Sequence, residues 1–380
     1  MTTSAVSFID LQAGEDAPAV RDAIDRVIAS GWFVLGPEVE AFEAEFATAS
    51  GARAAIGVGN GTDAIALLLR AVDIGRGDEV IVPAMTAAFT ALAVTAIGAT
   101  PVFADVDAHT LTIDPDAVAA AITSRTRAIV PVHLYGQAAD LDPLFALAEN
   151  HSLVIVEDCC QSHLATHRST PVGTRGIGGA FSFYPTKNLG ALGDGGAVIT
   201  NDETIADRIR RLRNGGQRDR YHHVDAGVNS RLDELQAAVL RARLPYLPKW
   251  TARRRELASV YRDALPEGVR TVYERDRGHV YHLFPIRCGS PEGAPFDTGA
   301  SERDALQDHL RQAGVQTLIH YPVAVPEQEA FAAYRRDRCP VAERASRELL
   351  SLPLHPRMLD ADVLQVTSEI GRFVKGRVSQ

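Results

Sequence analysis

The chain reads as an α/β protein: a large domain built on a mainly parallel, seven-stranded sheet between helices, plus a smaller α+β domain at its C-terminal end. Three observations predict this. Apolar extended runs alternate with amphipathic helical stretches through the first two thirds, the pattern of a mainly parallel sheet. Pro245 and Pro248 then interrupt the helical pattern, and an arginine-rich helix leads into a region of different character. The length of 380 residues exceeds what one core serves and suggests about two domains, residues 1–246 and 247–380.

The elements follow in order. Residues 54–58 read as a strand, and Ile65, Leu68, Leu69 and Val72 then recur at i, i+3, i+4 and i+7 of a helix. Further strands are predicted at 80–82, 101–104, 128–132, 153–156, 180–183 and 197–199. Asn201 or Asp202 caps a helix whose apolar stripe is Ile205, Ile209 and Leu212, and Ser230 with Asp233 resembles a capping box. Beyond the prolines, a helix is predicted from about 249 to 265, with Arg253, Arg254 and Arg255 on a solvated face. An extended run at 280–287 and helices near 302–313, 341–350 and 360–374 complete the chain. Residues 83–104 carry no charge over a length that could cross a bilayer, but their threonines, prolines and alanines fit a buried helix running into a buried strand.

The apolar fraction of 46% and charged fraction of 23% are ordinary for a globular protein. A net charge of -9 argues against a general nucleic-acid or anionic-membrane surface. Cys159, Cys160, Cys288 and Cys339 show neither a metal-ligand spacing nor a disulfide framework, and the start Met1-Thr2-Thr3-Ser4-Ala5-Val6 lacks the pattern of a signal peptide. A cytoplasmic protein is expected.

Lys187 is one of only three lysines, although Lys and Arg together number 39. An amine can lose its proton, attack a carbonyl and form an imine, which a guanidinium cannot. By charge habit alone a solvated loop residue is the commoner outcome for such a lysine. Two other features change that. The turn Gly57-Val58-Gly59-Asn60-Gly61-Thr62-Asp63 lies between a strand and a helix, so its amides can cradle a phosphate. It also resembles a degraded dinucleotide fingerprint, with Asp78 and Glu79 where a ribose-binding acid is expected. Asp158 follows the apolar strand at 153–156, at the sheet edge where open α/β folds bind ligands, and Gln161 and His163 come just after. Lysine, strand-end acid and phosphate turn together suit pyridoxal phosphate (PLP).

The motifs from Gly36-Pro37-Glu38-Val39 through Val58-Gly59-Asn60-Gly61-Thr62-Asp63-Ala64 and Pro131-Val132-His133-Leu134-Tyr135-Gly136 continue in Glu157-Asp158 with Gln161-Ser162-His163, in residues 181–196 and in Asn229-Ser230-Arg231-Leu232-Asp233-Glu234-Leu235-Gln236-Ala237. In this order they resemble the DegT/StrS family of nucleotide-sugar aminotransferases, PLP enzymes of fold type I. The resemblance implies that Lys187 is the Schiff-base lysine and Asp158 the partner of the pyridine nitrogen. It places Gln161 and His163 near the ring, and Gly61, Thr62 and Ser182 on the phosphate. The resemblance also implies that Asn229 reaches the phosphate of the neighbouring subunit's cofactor, so that the active sites are shared in a homodimer. By the same resemblance His320 and Tyr321, in a segment that reads equally as a strand end, and Tyr184 are expected to approach the substrate. Two departures stand out: Ala87 and Ala88 follow Thr86 where many members carry a ring-stacking aromatic, so that stacking is either weaker or comes from His163, and Leu164 replaces a usual glycine.

The expected reaction is a ping-pong transamination: glutamate or glutamine converts the cofactor to its pyridoxamine form (PMP), which aminates a nucleotide-linked keto-sugar. Sugar 3-dehydratases of the fold carry histidine at the lysine position, so Lys187 favours amination. Thr86-Ala87-Ala88 and the Glu157 to His163 segment look most like members that aminate carbon 3 of dTDP-3-keto-6-deoxyhexoses. The alternatives are a 4-keto-sugar aminotransferase, a dehydratase, a non-catalytic regulator of the same fold, and a nicotinamide-dependent oxidoreductase using the glycine turn. His222 and His223, near Arg218 and Arg220, lie in a loop that faces either a nucleotide diphosphate or solvent.

Overall fold

Seven strands form the central sheet of the computed structural model, which describes residues 5–12, 14–288 and 298–378. The strands are β1 (Ala54–Val58), β2 (Glu79–Pro83), β3 (Thr100–Ala104), β4 (Thr126–Ile129), β5 (Val154–Asp158), β6 (Gly178–Ser182) and β7 (Gly196–Thr200), in the spatial order β1-β7-β6-β5-β4-β2-β3. Only β7 runs antiparallel to its neighbours. The signal-peptide reading falls on Met1–Val6, of which residues 1–4 lie outside the described residues. No described helix is long and apolar enough to cross a membrane.

The sheet is buried on both faces, and β1, β2 and β7 are buried at every residue, as continuous apolar runs require. Helices α1 (Ala17–Ser30), α2 (Pro37–Ala49), α3 (Gly61–Arg70), α4 (Phe89–Ala96), α5 (Pro115–Ala121), α6 (Leu141–His151), α7 (Glu203–Leu212) and α8 (Glu234–Arg243) surround it. Local chemistry sets several starts. Asn60 caps α3 by accepting from the Asp63 amide at 2.8 Å, and Asp202 caps α7 through the Thr204 and Ile205 amides at 2.8 and 3.3 Å. An aromatic cluster seats the end of β6: Phe46 meets Phe181 edge-on at 5.1 Å, and Phe42 and Phe46 each meet Phe183 at 5.3 Å.

After α9 (Leu247–Ala264), the strands β8 (Arg270–Thr271), β9 (Phe284–Arg287) and β10 (Leu349–Leu352) form an antiparallel sheet, accompanied by α10 (Thr298–Gln312), α11 (Pro340–Glu348) and α12 (Asp360–Val378). Leu257, Tyr261, Ile286, Leu310, Leu350 and Val366 share one core there. Val6 belongs to that core and pairs with Val315, so the N-terminal segment crosses to the C-terminal body.

Five local expectations are corrected. The predicted strand at 128–132 stops at Ile129 because Pro131 cannot donate to a ladder. Of 280–287, only Phe284–Arg287 is strand, since the amides of Val280 and His282 go to Gly136 and Tyr135. The predicted helix at 341–350 ends at Glu348, and Leu349 and Leu350 already belong to β10. Ser230 forms no capping box: its hydroxyl donates to Asp63 at 2.6 Å, and Asp233 stands at the N-cap of α8 with no side-chain bond. The three arginines do not form a solvated face, because Arg254 is 5% exposed and donates to the carbonyls of Leu354, Tyr281 and His282.

Glu79 opens β2, at the sheet edge opposite the glycine turn that follows β1. Arg336 and Thr123 each hydrogen-bond it at 2.6 Å and Arg125 pairs with it, so its carboxyl is held from its ordinary 4.5 down to about 2, chiefly by Arg336. A dinucleotide's ribose therefore finds no acid here. A depressed carboxyl stabilises the fold above pH 4.5 and loses that contribution as pH falls towards 2. Glu79→Gln is expected to cost about 1–3 kcal/mol at pH 7. In urea titrations, the gap between wild type and variant should close as pH falls through that window.

Candidate active site

The functional side chains converge where β5 and β6 end and α3 begins. Asp158 closes β5, and its position is fixed by its own backbone: its amide donates to Pro131 and its carbonyl accepts from His133. The carboxylate is buried and has two donors, the Thr90 hydroxyl at 2.7 Å and the Cys160 amide at 3.1 Å. Beneath it, fully buried Glu157 accepts from the His133 ring at 3.0 Å and from the amides of Gly173, Arg175 and Gly176. Burial alone would raise the Glu157 pKa, but these donors hold it below the usual carboxylate value. The Ala139 amide bonds the His133 Nδ1, so Nε2 carries the proton that Glu157 receives. His133, Glu157 and Cys159 lie close enough to suggest metal ligands, but the carboxylate oxygens are already occupied by this network.

Lys187 sits in the loop after β6. That loop is closed by Lys187 N–H to the Tyr184 carbonyl at 2.8 Å and Ala191 N–H to the Phe183 carbonyl at 2.7 Å. Gly190 makes the closure possible, because a Cβ there would lie 2.5 Å from the Pro185 carbonyl oxygen. Asn188 ties the loop to the C-terminal body through the Val280 carbonyl at 3.1 Å and His282 at 3.3 Å. Among the described residues the Lys187 amine has no hydrogen bond or ion pair. Burial pushes its pKa below the ordinary 10.5, against the opposing pull of Cys160 and Asp158, and so favours the neutral, nucleophilic amine. Burial first, and the lysine charge second, hold His163, His282 and His320 below the ordinary histidine value.

His163 is fully buried, packed 5.5 Å from Phe181 and 5.7 Å from Phe183, and neither ring nitrogen makes a hydrogen bond of normal geometry. Burial lowers its pKa to about 3, so the ring is neutral at physiological pH. Phe89, the later aromatic that follows Ala87 and Ala88, is 62% exposed. Gln161 accepts from the Tyr135 amide at 2.7 Å and donates to the Tyr321 hydroxyl at 2.9 Å. Leu164 has φ +60°, the left-handed region, which explains why glycine suits that position.

The N-terminus of α3 faces Ser182. A Cβ on Gly61 would lie 2.5 Å from the Cys160 sulfur and 2.9 Å from the Ser182 Cβ, so only glycine lets the helix start approach this closely. Among the described residues the Gly61 and Thr62 amides have no partner, and with the Ser182 hydroxyl they could hold an anion. The exposed Asn229 stands apart, bridged to Asn214, while its neighbour Ser230 bonds the Gly59 amide. Tyr184 is also exposed. Sequence reasoning missed Thr90, Tyr135, Asn188 and His282, whose roles arise from contacts between distant segments. A hydroxyl amid alanines was the one local sign of Thr90.

A half-buried lysine amine free of ion pairs, a strand-end carboxylate with donors already in place and a helix N-terminus able to take a phosphate fit pyridoxal phosphate, on the sheet topology of a fold-type I enzyme. The class is that of PLP-dependent aminotransferases. More particularly, the chain belongs to the DegT/DnrJ/EryC1/StrS aminotransferase family, whose model matches residues 15–371. It is 48% identical over 361 residues to the erythromycin biosynthesis sensory transduction protein EryC1 of Saccharopolyspora erythraea, covering 93% of this chain and 95% of that one. It is 46% identical over 385 residues to the dTDP-3-amino-3,4,6-trideoxy-alpha-D-glucose transaminase of Streptomyces venezuelae, covering 100% and 98%. The structure of S. venezuelae DesV in complex with a ketimine intermediate superposes with a TM-score of 0.92 at 45% identity, covering 98% and 99%. The cofactor is PLP, alternating with PMP.

Proposed function

We propose that the protein transfers an amino group from L-glutamate or L-glutamine to a nucleotide-linked keto-sugar, with carbon 3 of a dTDP-3-keto-6-deoxyhexose as the acceptor, in deoxyamino-sugar biosynthesis of the antibiotic type. The observation that carries the reading is the Lys187 amine, unpaired and depressed in pKa beside Asp158. The name of the S. venezuelae relative supports the sugar and its carbon.

When bound, PLP supplies an electron sink for the carbon that carries nitrogen. Lys187 would anchor its aldehyde and, once released, take a proton from one carbon and return it to another. Asp158 would keep the ring nitrogen protonated, its carboxylate oriented by Thr90 and Cys160. Gln161 and His163 would contact the ring, and Gly61, Thr62 and Ser182 would bind the phosphate. His320, Tyr321 and Tyr184 would meet the substrate.

The working unit is proposed to be a cytoplasmic homodimer, with Asn229 reaching the phosphate in the partner's site. Exposed Trp32, Phe33, Val34 and Leu192 support an apolar subunit interface. They gather near the start of α8, where Val34 bridges Asp233 and the Leu192 amide bonds Gln236. Within each chain the domain division is placed between residues 246 and 247, with the N-terminal segment crossing back onto the second domain.

Adding glutamate to the PLP-loaded protein tests the class of chemistry. An absorbance band near the visible edge should shift towards the ultraviolet as the cofactor gains the amine. A band that shifts with neither glutamate nor glutamine would leave the regulatory reading.

A further inference from the structure

Tyr135 is buried to 1% exposure and holds φ +60° and ψ 7°, a left-handed conformation that a bulky residue rarely adopts. That backbone lets all three of its polar groups reach different segments. Its amide donates to Gln161 Oε1 at 2.7 Å. Its carbonyl accepts from the His282 and Leu283 amides at 2.8 and 3.3 Å. Its phenol donates to the His320 carbonyl at 2.5 Å. Gln161 then closes a circuit, because Nε2 donates to the Tyr321 hydroxyl at 2.9 Å.

Within this circuit, the Tyr135 amide fixes which way the Gln161 carboxamide points, since Oε1 must face the donor and Nε2 is left for Tyr321. The same residue holds the His320 carbonyl, so the His320–Tyr321 segment is restrained at both residues. Burial also raises the Tyr135 phenol pKa well above 10, which keeps its proton available to donate. We infer that Tyr135 is a positioning residue that sets the His320–Tyr321 segment against Gln161 in the geometry the keto-sugar requires. The inference rests on the aminotransferase reading above and adds a determinant of its second half-reaction.

Tyr135→Phe removes only the hydroxyl. Tyr261→Phe is the control: Tyr261 is equally buried and donates to the Pro353 carbonyl at 2.8 Å inside the C-terminal core. In Tyr135→Phe, KM for the keto-sugar should rise about tenfold with little change in kcat, while the glutamate half-reaction stays within about twofold of wild type. Tyr261→Phe should lower the melting temperature comparably without that split. By hydrogen exchange on the full-chain PLP-loaded enzyme, amides of residues 318–323 should exchange about tenfold faster in Tyr135→Phe than in Tyr261→Phe. Equal loss in both half-reactions, or unchanged exchange in 318–323, would overturn the inference. If wild type aminates no keto-sugar, the functional reading fails, and the exchange comparison still decides whether the circuit holds.

Discussion

Lys187→Ala is expected to abolish turnover, by at least about 10^4-fold, and to remove the absorbance of the lysine-linked cofactor. Proton transfer by a positioned side chain alone contributes roughly 10^2–10^4-fold, and the variant also loses the covalent anchor. Lys187→Arg should be as inactive, because a guanidinium stays charged and cannot attack the aldehyde. Neither change should unfold the protein, since the loop is held by Gly190, Asn188 and backbone bonds that do not involve the amine. Added methylamine should restore part of the activity of the alanine variant, which separates lost chemistry from lost structure. Absorbance scans with steady-state kinetics check each point, and an active alanine variant would sink the proposed role.

Asp158→Asn should lower kcat by roughly 10- to 100-fold, the equivalent of a charge-assisted hydrogen bond of about 1.5–3 kcal/mol. The asparagine can keep the local geometry: its oxygen can accept from the Cys160 amide and its amide can donate to the Thr90 hydroxyl, which rotates to accept. Stability should therefore change far less than rate. What is lost is the negative charge that keeps the ring nitrogen protonated, so both half-reactions should slow together, unlike Tyr135→Phe. Single-turnover rates for each half-reaction measure this, and an asparagine variant within threefold of wild type would remove Asp158 from the proposed mechanism.

Much of the site was legible because its chemistry lies in contiguous residues. A lysine after an apolar strand, an acid at a strand end and a glycine turn before a helix each announce their placement through local periodicity. The fold was legible for the same reason: buried strands and amphipathic helices alternate cleanly up to Pro245. What stayed hidden depends on tertiary contacts. Arg254 looks like one of three solvated arginines, yet three carbonyls from distant segments take it into the interior. Ser230 fits a local capping box, but Asp63, far away in sequence, claims its hydroxyl. Nothing in the sequence fixes Tyr135 at positive φ, and that conformation is what joins Gln161 to His320. Leu164 stood out only as a missing glycine, and its φ of +60° supplies the reason.

In the proposed reaction this lysine-centred site moves nitrogen onto carbon 3 of a nucleotide-linked keto-sugar. Incubating the PLP-loaded enzyme with nitrogen-15 glutamate and a panel of dTDP-3-keto and dTDP-4-keto sugars tests it most directly, with mass spectrometry and NMR assignment of the aminated carbon. A labelled amine on carbon 3 of the 3-keto sugar is expected; exclusive labelling of carbon 4, or no labelled sugar from an enzyme whose cofactor accepts the amine, would overturn the proposed reaction.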